Sequence, residues 1–242
     1  MRLYDGAMYT LHIGNKNYSS WSLRPWVLMT VLDIPFTEKL HVFGPEFGAR
    51  AAGSPTGKVP CLEDGNRMVW DSLAIAEYLA ERHGGVWPTD ADARAWARSA
   101  SAEMHSGFQA LRNACSMNCG VRVRLHAFPD EARQDVARIA ELWAEGLQRF
   151  GGPFLASSSF GAVDAFFAPV AFRVQSYGVE LPPVAAAHVE RLLSLPAMRA
   201  WYASALSEPY RDPPHEIEIA TSGTIVKDLR EPVREKALGR VS

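Results

Sequence analysis

Up to about residue 84, two kinds of hydrophobic pattern take turns along the chain. Short stretches in which apolar and polar residues alternate predict strands, whereas apolar residues at three- and four-residue steps predict helices. The predicted elements, in chain order, are strand Tyr9–Ile13, a helix at about Arg24–Leu32, strand Thr37–Val42, a hairpin of Val59–Glu63 and Met68–Trp70, and helix Ser72–His83. Glycine commonly follows the last residue of a helix, and Gly84-Gly85 marks that end.

Beyond Pro88 the pattern is helical almost throughout. One apolar stripe runs from Ala97 to Cys115 and predicts a single long helix. Further helices are predicted at about Pro129–Phe150, Ala162–Tyr177, Val184–Leu193 and Ala197–Leu206. The stretch Ala162–Tyr177 is apolar on most faces, which is typical of a central helix. From Glu208 onward, prolines and mixed charges predict an extended tail on the surface.

This order of elements predicts two domains of different class. Strand–helix–strand followed by hairpin–helix is typical of a thioredoxin-like α/β domain, which we place at residues 1–86. An all-α domain is predicted at residues 90–207, followed by the tail at 208–242. The predicted fold class is therefore an α/β thioredoxin-like N-terminal domain plus an all-α C-terminal domain.

Composition excludes several classes of function. The 242 residues are 48% hydrophobic and 21% charged with a net charge of −2, so no basic field argues for nucleic acid or an anionic membrane surface. No apolar run approaches the roughly 20 residues that span a bilayer, and Met1–Gly6 lacks the apolar core of a signal peptide. Three cysteines offer no disulfide framework. We expect a cytoplasmic protein without nucleic-acid or membrane partners.

Residues 17–24 read Asn-Tyr-Ser-Ser-Trp-Ser-Leu-Arg and connect the first predicted strand to the first predicted helix. Unpaired N–H groups and the helix dipole make such a helix start a place for an anion. Ser19, Ser20 and Ser22 lie there beside Trp21. One hydroxyl is enough to cap a helix, and we assign Ser22 to that role. The other two hydroxyls are candidates for contact with an anion or a thiolate.

Two further segments can hold the rest of a ligand. A cis bond between Val59 and Pro60 would turn the predicted strand and leave the Val59 backbone free to pair with a peptide-like ligand. The alternative is a proline that merely ends an edge strand. Asp71-Ser72 opens the next helix, where a ligand carboxylate can lie at the positive end while Asp71 balances an ammonium group. The alternative there is Ser72 as an ordinary N-cap.

Taken together, these segments resemble the cytosolic glutathione transferases from Tyr9 to Leu206. Lys58–Gly65 and Asp71–Leu79 follow that family's glutathione-site pattern almost position for position. Gly161–Pro169 matches the family's folding motif at the start of the central helix; glycine replaces the usual Ser or Thr cap, but Asp164 can still reach the cap N–H. The resemblance implies a homodimer that binds glutathione as co-substrate. The glutathione-binding residues it implies are Trp21, Lys58, Val59, Pro60, Asp71 and Ser72.

The run Ser19-Ser20-Trp21-Ser22 is similar to the serine-cysteine-serine signature of the zeta class, within a bacterial serine-type branch. Trp21 replaces the cysteine of that signature. Ser176 stands where the zeta class tends to carry a substrate-binding arginine, and Arg173 lies one turn earlier. Both departures weigh against maleylacetoacetate isomerase activity. The spacing of Ser20 before Arg24 is similar to that of the catalytic serine in theta-like classes, so we place the thiol contact at Ser20, with Ser19 as the alternative.

The function implied by the resemblance is transfer of glutathione to a small hydrophobic electrophile, with a serine hydroxyl and a helix N-terminus stabilising the thiolate. One alternative is a zeta-type glutathione-dependent cis-trans isomerase, which needs an anion-binding residue that Arg173 would have to supply. Another is a non-catalytic glutathione- or ligand-binding module, because the bulk of Trp21 can block a second substrate.

Other polar and sulfur residues have simpler explanations. Cys115 and Cys119, four residues apart on the predicted helix, and His126 lack the ligand number and spacing of a zinc site, so we expect packing roles and no metal. No Cys-x-x-Cys accompanies Cys61, which argues against disulfide exchange. The polar side of the first long helix faces either solvent or a second-substrate pocket and carries His105, Gln109, Arg112 and Asn113.

Overall fold

The first part of the chain folds as alternating strands and helices in a computed structural model, which describes residues 9–50 and 54–232. Its elements are β1 (Tyr9–Gly14), α1 (Ser20–Val31), β2 (Phe36–His41), α2 (Phe47–Arg50), β3 (Cys61–Asp64), β4 (Arg67–Trp70) and α3 (Ser72–Ala80). The expectations for Met1–Gly6 and for residues 233–242 lie outside the described residues.

The four strands form one mixed sheet in the order β2-β1-β3-β4. β1 runs parallel to β2, with Leu11 opposite Glu38, and antiparallel to β3, with Leu11 opposite Leu62. β3 and β4 form the predicted hairpin. Leu11, Ile13 and Leu62 are fully buried, and α1 and α3 pack against the sheet. The predicted thioredoxin-like class is confirmed.

The second part of the chain is mostly helical, as predicted. Its elements are α4 (Ala91–Ser106), α5 (Gln109–Ala114), β5 (Val121–Leu125), α6 (Asp130–Arg149), α7 (Ala162–Tyr177), α8 (Pro183–Ser194), α9 (Pro196–Ser207), α10 (Pro213–Ser222) and β6 (Gly223–Asp228). α7 lies in the centre, packed against α1, α4, α8 and β5. The Gly161 N–H donates to Asp164 Oδ2 at 3.0 Å, which confirms the predicted start of this helix.

The predicted long helix after Pro88 is two helices, α4 and α5. The break falls at Gly107-Phe108, where Phe108 has a φ of 58°, a left-handed conformation that a right-handed helix does not continue through. Cys115 follows the last residue of α5, and Cys119 lies in the loop before β5. The expectation that these two cysteines share one helix face is therefore wrong.

The segment after Glu208 differs most from its prediction. It contains α10 and then β6, which pairs antiparallel with β5 in a separate two-stranded sheet. Pro213 and Pro214 occupy the first turn of α10, where helical N–H groups have no partner within the helix and a missing one is tolerated. The described part of this segment is thus folded and paired with the helical half, rather than extended.

Candidate active site

The connection from β1 to α1 holds its hydroxyls in a hydrogen-bonded group. Ser19 is the N-cap of α1, and its Oγ accepts a hydrogen bond from the Ser22 N–H at 3.3 Å. The Ser19 hydroxyl donates to Ser22 Oγ at 2.7 Å, and Ser22 Oγ also accepts from the Gly14 N–H at 3.1 Å. The predicted capping role of Ser22 is therefore wrong. Ser19 caps a helix that begins at Ser20, four residues before the predicted start, and Ser22 ties that cap to the end of β1.

Ser20, the first residue of α1, has a different environment. The residue is 7% exposed, and its hydroxyl hydrogen-bonds no other described residue. The Ser19 hydroxyl proton, in contrast, is directed to Ser22. In the described part of this turn, Ser20 is the hydroxyl that is free to donate to a ligand.

Two neighbouring cavities, of about 520 and 390 Å³, border this turn and have Trp21, Lys58 and Val59 in common. We call them the first and the second cavity. Their walls together contain all eight predicted site residues: Ser19, Ser20, Trp21, Lys58, Val59, Pro60, Asp71 and Ser72. A larger cavity of about 910 Å³ lies beside Trp87 and Asp90 and borders none of the eight. The structure therefore brings the predicted residues to one place, while their chemical roles stay predictions.

The bond between Val59 and Pro60 is cis, the geometry on which the predicted backbone contact depends. Pro60 is buried, and the strand β3 begins only at Cys61. Val59 makes no backbone hydrogen bond to another described residue, and it lies in the wall of both cavities. Its N–H and C=O groups are thus available to an extended ligand.

Asp71, rather than Ser72, caps α3. Its Oδ1 accepts from the Leu73 N–H at 2.8 Å, and its φ of 75° is uncommon for a residue with a side chain. Its Oδ2 lies 3.3 Å from Nε2 of His105. Burial lowers the pKa of His105, so this contact is not a full ion pair at neutral pH. A carboxylate and the positive end of α3 therefore lie side by side in the wall of the second cavity.

Arg24 has a role that was not predicted from the sequence. It is 1% exposed, and its Nη1 donates to Ser72 Oγ at 3.4 Å. Its guanidinium carbon lies 4.1 Å from the centre of the Trp21 ring, and that of Arg112 lies 4.7 Å from the same ring. These cation–π contacts hold Trp21 in one orientation at the cavity wall. An arginine between Leu23 and Pro25 in a largely apolar helix was the available signal.

Arg173, on α7, contributes a buried cation to the wall of the first cavity. It is 5% exposed, and its Nε and Nη1 have no hydrogen-bond partner among the described residues. Burial and the charge of Arg112 lower the pKa of Arg173 to about 10, so it is still protonated at neutral pH. A buried guanidinium with unfilled donors is unfavourable until an anion or water fills them. Ser176, in contrast, donates to the Asn118 carbonyl at 2.6 Å.

The C-terminal segment also reaches the first cavity. His215, in the first turn of α10, lies in its wall beside Tyr18 and Phe43. Glu216 holds the segment in place, since it accepts from the Tyr18 hydroxyl at 2.7 Å and from Arg230 Nη1 at 2.5 Å. The sequence analysis predicted an extended tail after Glu208 and therefore gave no reason to expect His215 in the wall of the first cavity.

The remaining candidates do not border the two cavities. Gln109 donates to Asn113 at 2.7 Å on the surface, and His126 is exposed beside Thr224. The three cysteines are buried free thiols, and burial raises the pKa of Cys115 to about 12.

In the described ranges 9–50 and 54–232, no group of three or more His, Cys, Asp or Glu side chains could hold a metal ion. Within the same ranges no helix is both long and apolar enough to cross a bilayer.

The thioredoxin-like sheet, the helices that follow it and the cavities at the β1–α1 turn agree with the glutathione transferase architecture that the sequence predicts. Residues 18–82 match the model of the glutathione S-transferase N-terminal domain, and residues 125–204 match the model of the glutathione S-transferase C-terminal domain. The chain belongs to the glutathione S-transferase family. Its place nearest the zeta class stays a prediction.

Similar solved structures agree with this fold. A glutathione transferase homolog from Burkholderia GL BGR1, with bound glutathione, has a TM-score of 0.63 at 22% identity over 82% of this chain and 98% of its own. A theta-class enzyme from Xanthomonas axonopodis pv. citri, with glutathione bound, has a TM-score of 0.59 at 22% identity over 81% and 97%. Ure2p in complex with S-p-nitrobenzylglutathione has a TM-score of 0.63 at 16% identity over 81% and 94%. At these identities the likeness shows the fold alone.

The similarity to a curated relative, a dehalogenase, is confined to a short region. Dichloromethane dehalogenase from Methylorubrum extorquens (strain DSM 6343 / CIP 106787 / DM4) is 37% identical over 62 residues. That region spans 24% of this chain and only 22% of the dehalogenase. The match supports a glutathione S-transferase-type protein and leaves the substrate open.

Proposed function

We propose that this chain is a glutathione S-transferase in which Ser20 and the N-terminus of α1 stabilise the glutathione thiolate for attack on a small electrophile. Family membership supports the transferase class, and similar structures that hold glutathione support it as co-substrate. The observation that carries the proposal is the free Ser20 hydroxyl at the start of α1, in the wall of the first cavity.

The energy needed for this activation matches what the site can supply. Free thiols have a pKa near 8.5, so lowering the pKa by ~2 units requires about 2.7 kcal/mol in favour of the thiolate. A hydrogen bond to a charged acceptor contributes roughly 1.5–3 kcal/mol, and a helix N-terminus adds about 0.3–2 kcal/mol. A serine hydroxyl therefore acts as a donor to sulfur and does not need to take its proton.

The second cavity fits the amino-acid end of glutathione. The Val59 N–H and C=O groups pair with the extended backbone of the ligand, in the manner of an added strand. The N-terminus of α3 at Ser72 receives the ligand carboxylate, and Asp71 balances its ammonium group. Lys58 and Trp21 border both cavities and flank the bound molecule.

Alanine substitution tests the assignment of the serine. Ser20→Ala should reduce the conjugation rate near pH 7 about tenfold or more, which corresponds to at least ~1.4 kcal/mol. It should also raise the pKa of bound glutathione, read from the ultraviolet absorbance of its thiolate. Ser99→Ala, which changes an exposed serine on α4, is the control. An unchanged rate in Ser20→Ala, with a loss in Ser19→Ala, would transfer the role to Ser19.

A second candidate function, glutathione-dependent cis-trans isomerisation of an acidic substrate, is favoured by the unfilled donors of Arg173. The matched probes are a cis-unsaturated carboxylic acid and its methyl ester. If Arg173 binds the substrate anion, the acid should react with the lower KM, and Arg173→Leu should raise that KM while leaving the ester unaffected. Equal KM values for the acid and the ester in the unmodified protein would contradict this alternative.

The non-catalytic alternative rests on Trp21. Because Arg24 and Arg112 hold its ring at the wall, about 520 Å³ remains in the first cavity for a second substrate, which supports an enzyme. We further propose the homodimer and the cytoplasmic location that the family resemblance implies. Sedimentation velocity tests the homodimer, since a single species of monomer mass would contradict it.

A further inference from the structure

The His215 ring is held in a fixed orientation at the wall of the first cavity. It stacks on Tyr18, with ring centres 4.9 Å apart and planes at 25°, and on Phe43, with centres 5.3 Å apart and planes at 17°. Tyr18 directly precedes Ser19 in the chain. The imidazole and the Ser20 hydroxyl therefore lie in the wall of the same cavity, and Tyr18, on which the imidazole stacks, is two residues before Ser20 in the chain.

Asp212 engages one of the two ring nitrogens of His215. Nδ1 of His215 lies 2.5 Å from Oδ2 of Asp212, and the same carboxylate accepts from the His215 N–H at 3.4 Å. Asp212 is 6% exposed. A buried carboxylate at Nδ1 keeps the proton of the neutral ring on that nitrogen and leaves Nε2 as the acceptor atom. Nε2 hydrogen-bonds no other described residue.

The other polar groups around the ring are compatible with proton transfer at Nε2. Burial and the contact with Glu216 raise the pKa of Tyr18 above its usual range, so its phenol stays neutral. Glu216 itself is paired with Arg230 at 2.5 Å. Arg173 and Lys58 border the same cavity and favour an anion there. The carboxylate in contact with the imidazole is therefore that of Asp212, since Glu216 is engaged by Arg230. The positive charges of Arg173 and Lys58 favour a sulfur anion in the cavity.

We propose that His215 accepts the thiol proton of bound glutathione, so that the C-terminal segment supplies a catalytic base to the serine site. The S–H bond breaks, its electron pair stays on sulfur, and a new N–H bond forms at Nε2. The Ser20 hydroxyl donates a hydrogen bond to the sulfur anion, and Asp212 balances the imidazolium. After attack on the electrophile, the imidazolium returns its proton to the leaving group or to water. This inference rests on the proposed function.

The proton count of the unmodified protein is the first test. Calorimetry of glutathione binding near pH 7, in two buffers of different ionisation enthalpy, gives the protons released to solvent. Ultraviolet difference absorbance gives the thiolate formed. If His215 holds the proton, well under one proton should be released per thiolate. Release of one full proton per thiolate would overturn the proposal.

Substitutions provide the second test. His215→Gln should release close to one proton per thiolate and should form about tenfold less thiolate at fixed pH, equivalent to about one pKa unit. Asp212→Asn should give an intermediate loss, and asparagine caps α10 as well as aspartate does. His126→Gln, an exposed histidine outside both cavities, is the matched control. The affinity of each variant for S-methylglutathione, which has no thiol proton, should be unchanged.

These measurements distinguish a failure of the proposed catalytic base from a failure of the proposed transferase function. A normal thiolate pKa in His215→Gln, with normal S-methylglutathione affinity, would overturn the base and leave the transferase intact. Loss of S-methylglutathione affinity in that variant would show that His215 only shapes the cavity, which also overturns the proposal. Failure of the unmodified protein to bind glutathione or to form thiolate would instead refute the proposed function.

Discussion

Arg230 links two acidic side chains of the C-terminal segment and also contacts Tyr18, beside the serines of the β1–α1 turn. Its side chain is 3% exposed and contacts Glu216 at 2.5 Å and Asp228 at 2.7 Å. Its Nη1 also lies 3.4 Å from the Tyr18 hydroxyl. The stem of the side chain packs against Gly120, where no Cβ would fit. The substitution Arg230→Ala therefore removes two ion pairs and a packed stem at once.

The size of the effect follows from the burial of each partner. Removing one partner of a fully buried ion pair costs about 3–5 kcal/mol. The Glu216 and Asp228 side chains are 27% and 45% exposed, so water can solvate them again after the substitution. We therefore expect Arg230→Ala to lower the free energy of unfolding by about 2–3 kcal/mol. For a chain of this length that corresponds to a fall in Tm of roughly 4–12 °C.

Urea denaturation measures the loss, and Arg138→Ala is the control. Arg138 makes a similar two-armed contact with Glu103, at 2.8 and 3.1 Å, but both side chains are more than a third exposed. Exposed pairs contribute about 0–1 kcal/mol, so the control should lose little. Limited proteolysis should also cut the C-terminal segment of Arg230→Ala sooner. Equal losses in the two variants would refute the reasoning from burial.

Two further predictions concern groups outside the proposed mechanism. The thiols Cys61, Cys115 and Cys119 are buried, so an aromatic disulfide reagent should label them only after unfolding; rapid labelling of the native protein would contradict their burial. Burial lowers the pKa of His188 to about 3, so the folded state keeps this histidine neutral while the unfolded chain protonates it below its ordinary 6.5. The contribution of His188 to the free energy of unfolding should therefore fall as the pH drops from 6.5 toward 3, by about 1.4 kcal/mol per unit, while the neighbouring buried Asp164, whose pKa is raised to about 7, contributes in the opposite direction. His188→Leu should remove the His188 contribution from a urea-denaturation pH profile, and an unchanged profile would contradict the prediction.

Features set by neighbouring residues were predictable from the sequence. The bounds of α7 match the prediction because Asp164 caps its start and Gly178 follows its end. The sheet and its hairpin follow from alternating patterns and a short turn. The eight candidate site residues were predicted from local motifs and a family pattern; the structure places all of them at the two cavities, and their roles stay predictions.

Features decided by competition between similar signals were harder to predict. Pro25 is typical of a first helical turn and indicated a late start for α1, but the Ser19 cap starts the helix earlier and leaves Pro25 in its second turn. Asp71 and Ser72 are both good caps, and only the backbone shows that Asp71 fills the role. The break between α4 and α5 at Gly107-Phe108 was also hidden, because the apolar stripe in the sequence continues through these two residues.

Contacts between distant parts of the chain left no local signal at all. Nothing around His215 indicates that it stacks on Tyr18, and nothing around Arg173 indicates that two of its nitrogens are buried without a described partner. Such contacts follow from the packing of α10 and α7, which a pattern of apolar residues does not fix. The candidate base was therefore visible only in the structure.

The attachment of Tyr18 to the C-terminal segment has a consequence for how the protein is made. The hydrogen bonds from Tyr18 to Glu216 and from Arg230 to Tyr18 span 198 and 212 residues of sequence. The β1–α1 turn is therefore synthesised early, but His215, which completes the wall of the first cavity, is added only after nearly all the described chain has been synthesised. Contacts of such long range form late and slowly. Until those contacts form, Tyr18 and Phe43 lack the His215 ring that covers them in the folded protein, so the first cavity is complete only when the C-terminal segment has docked.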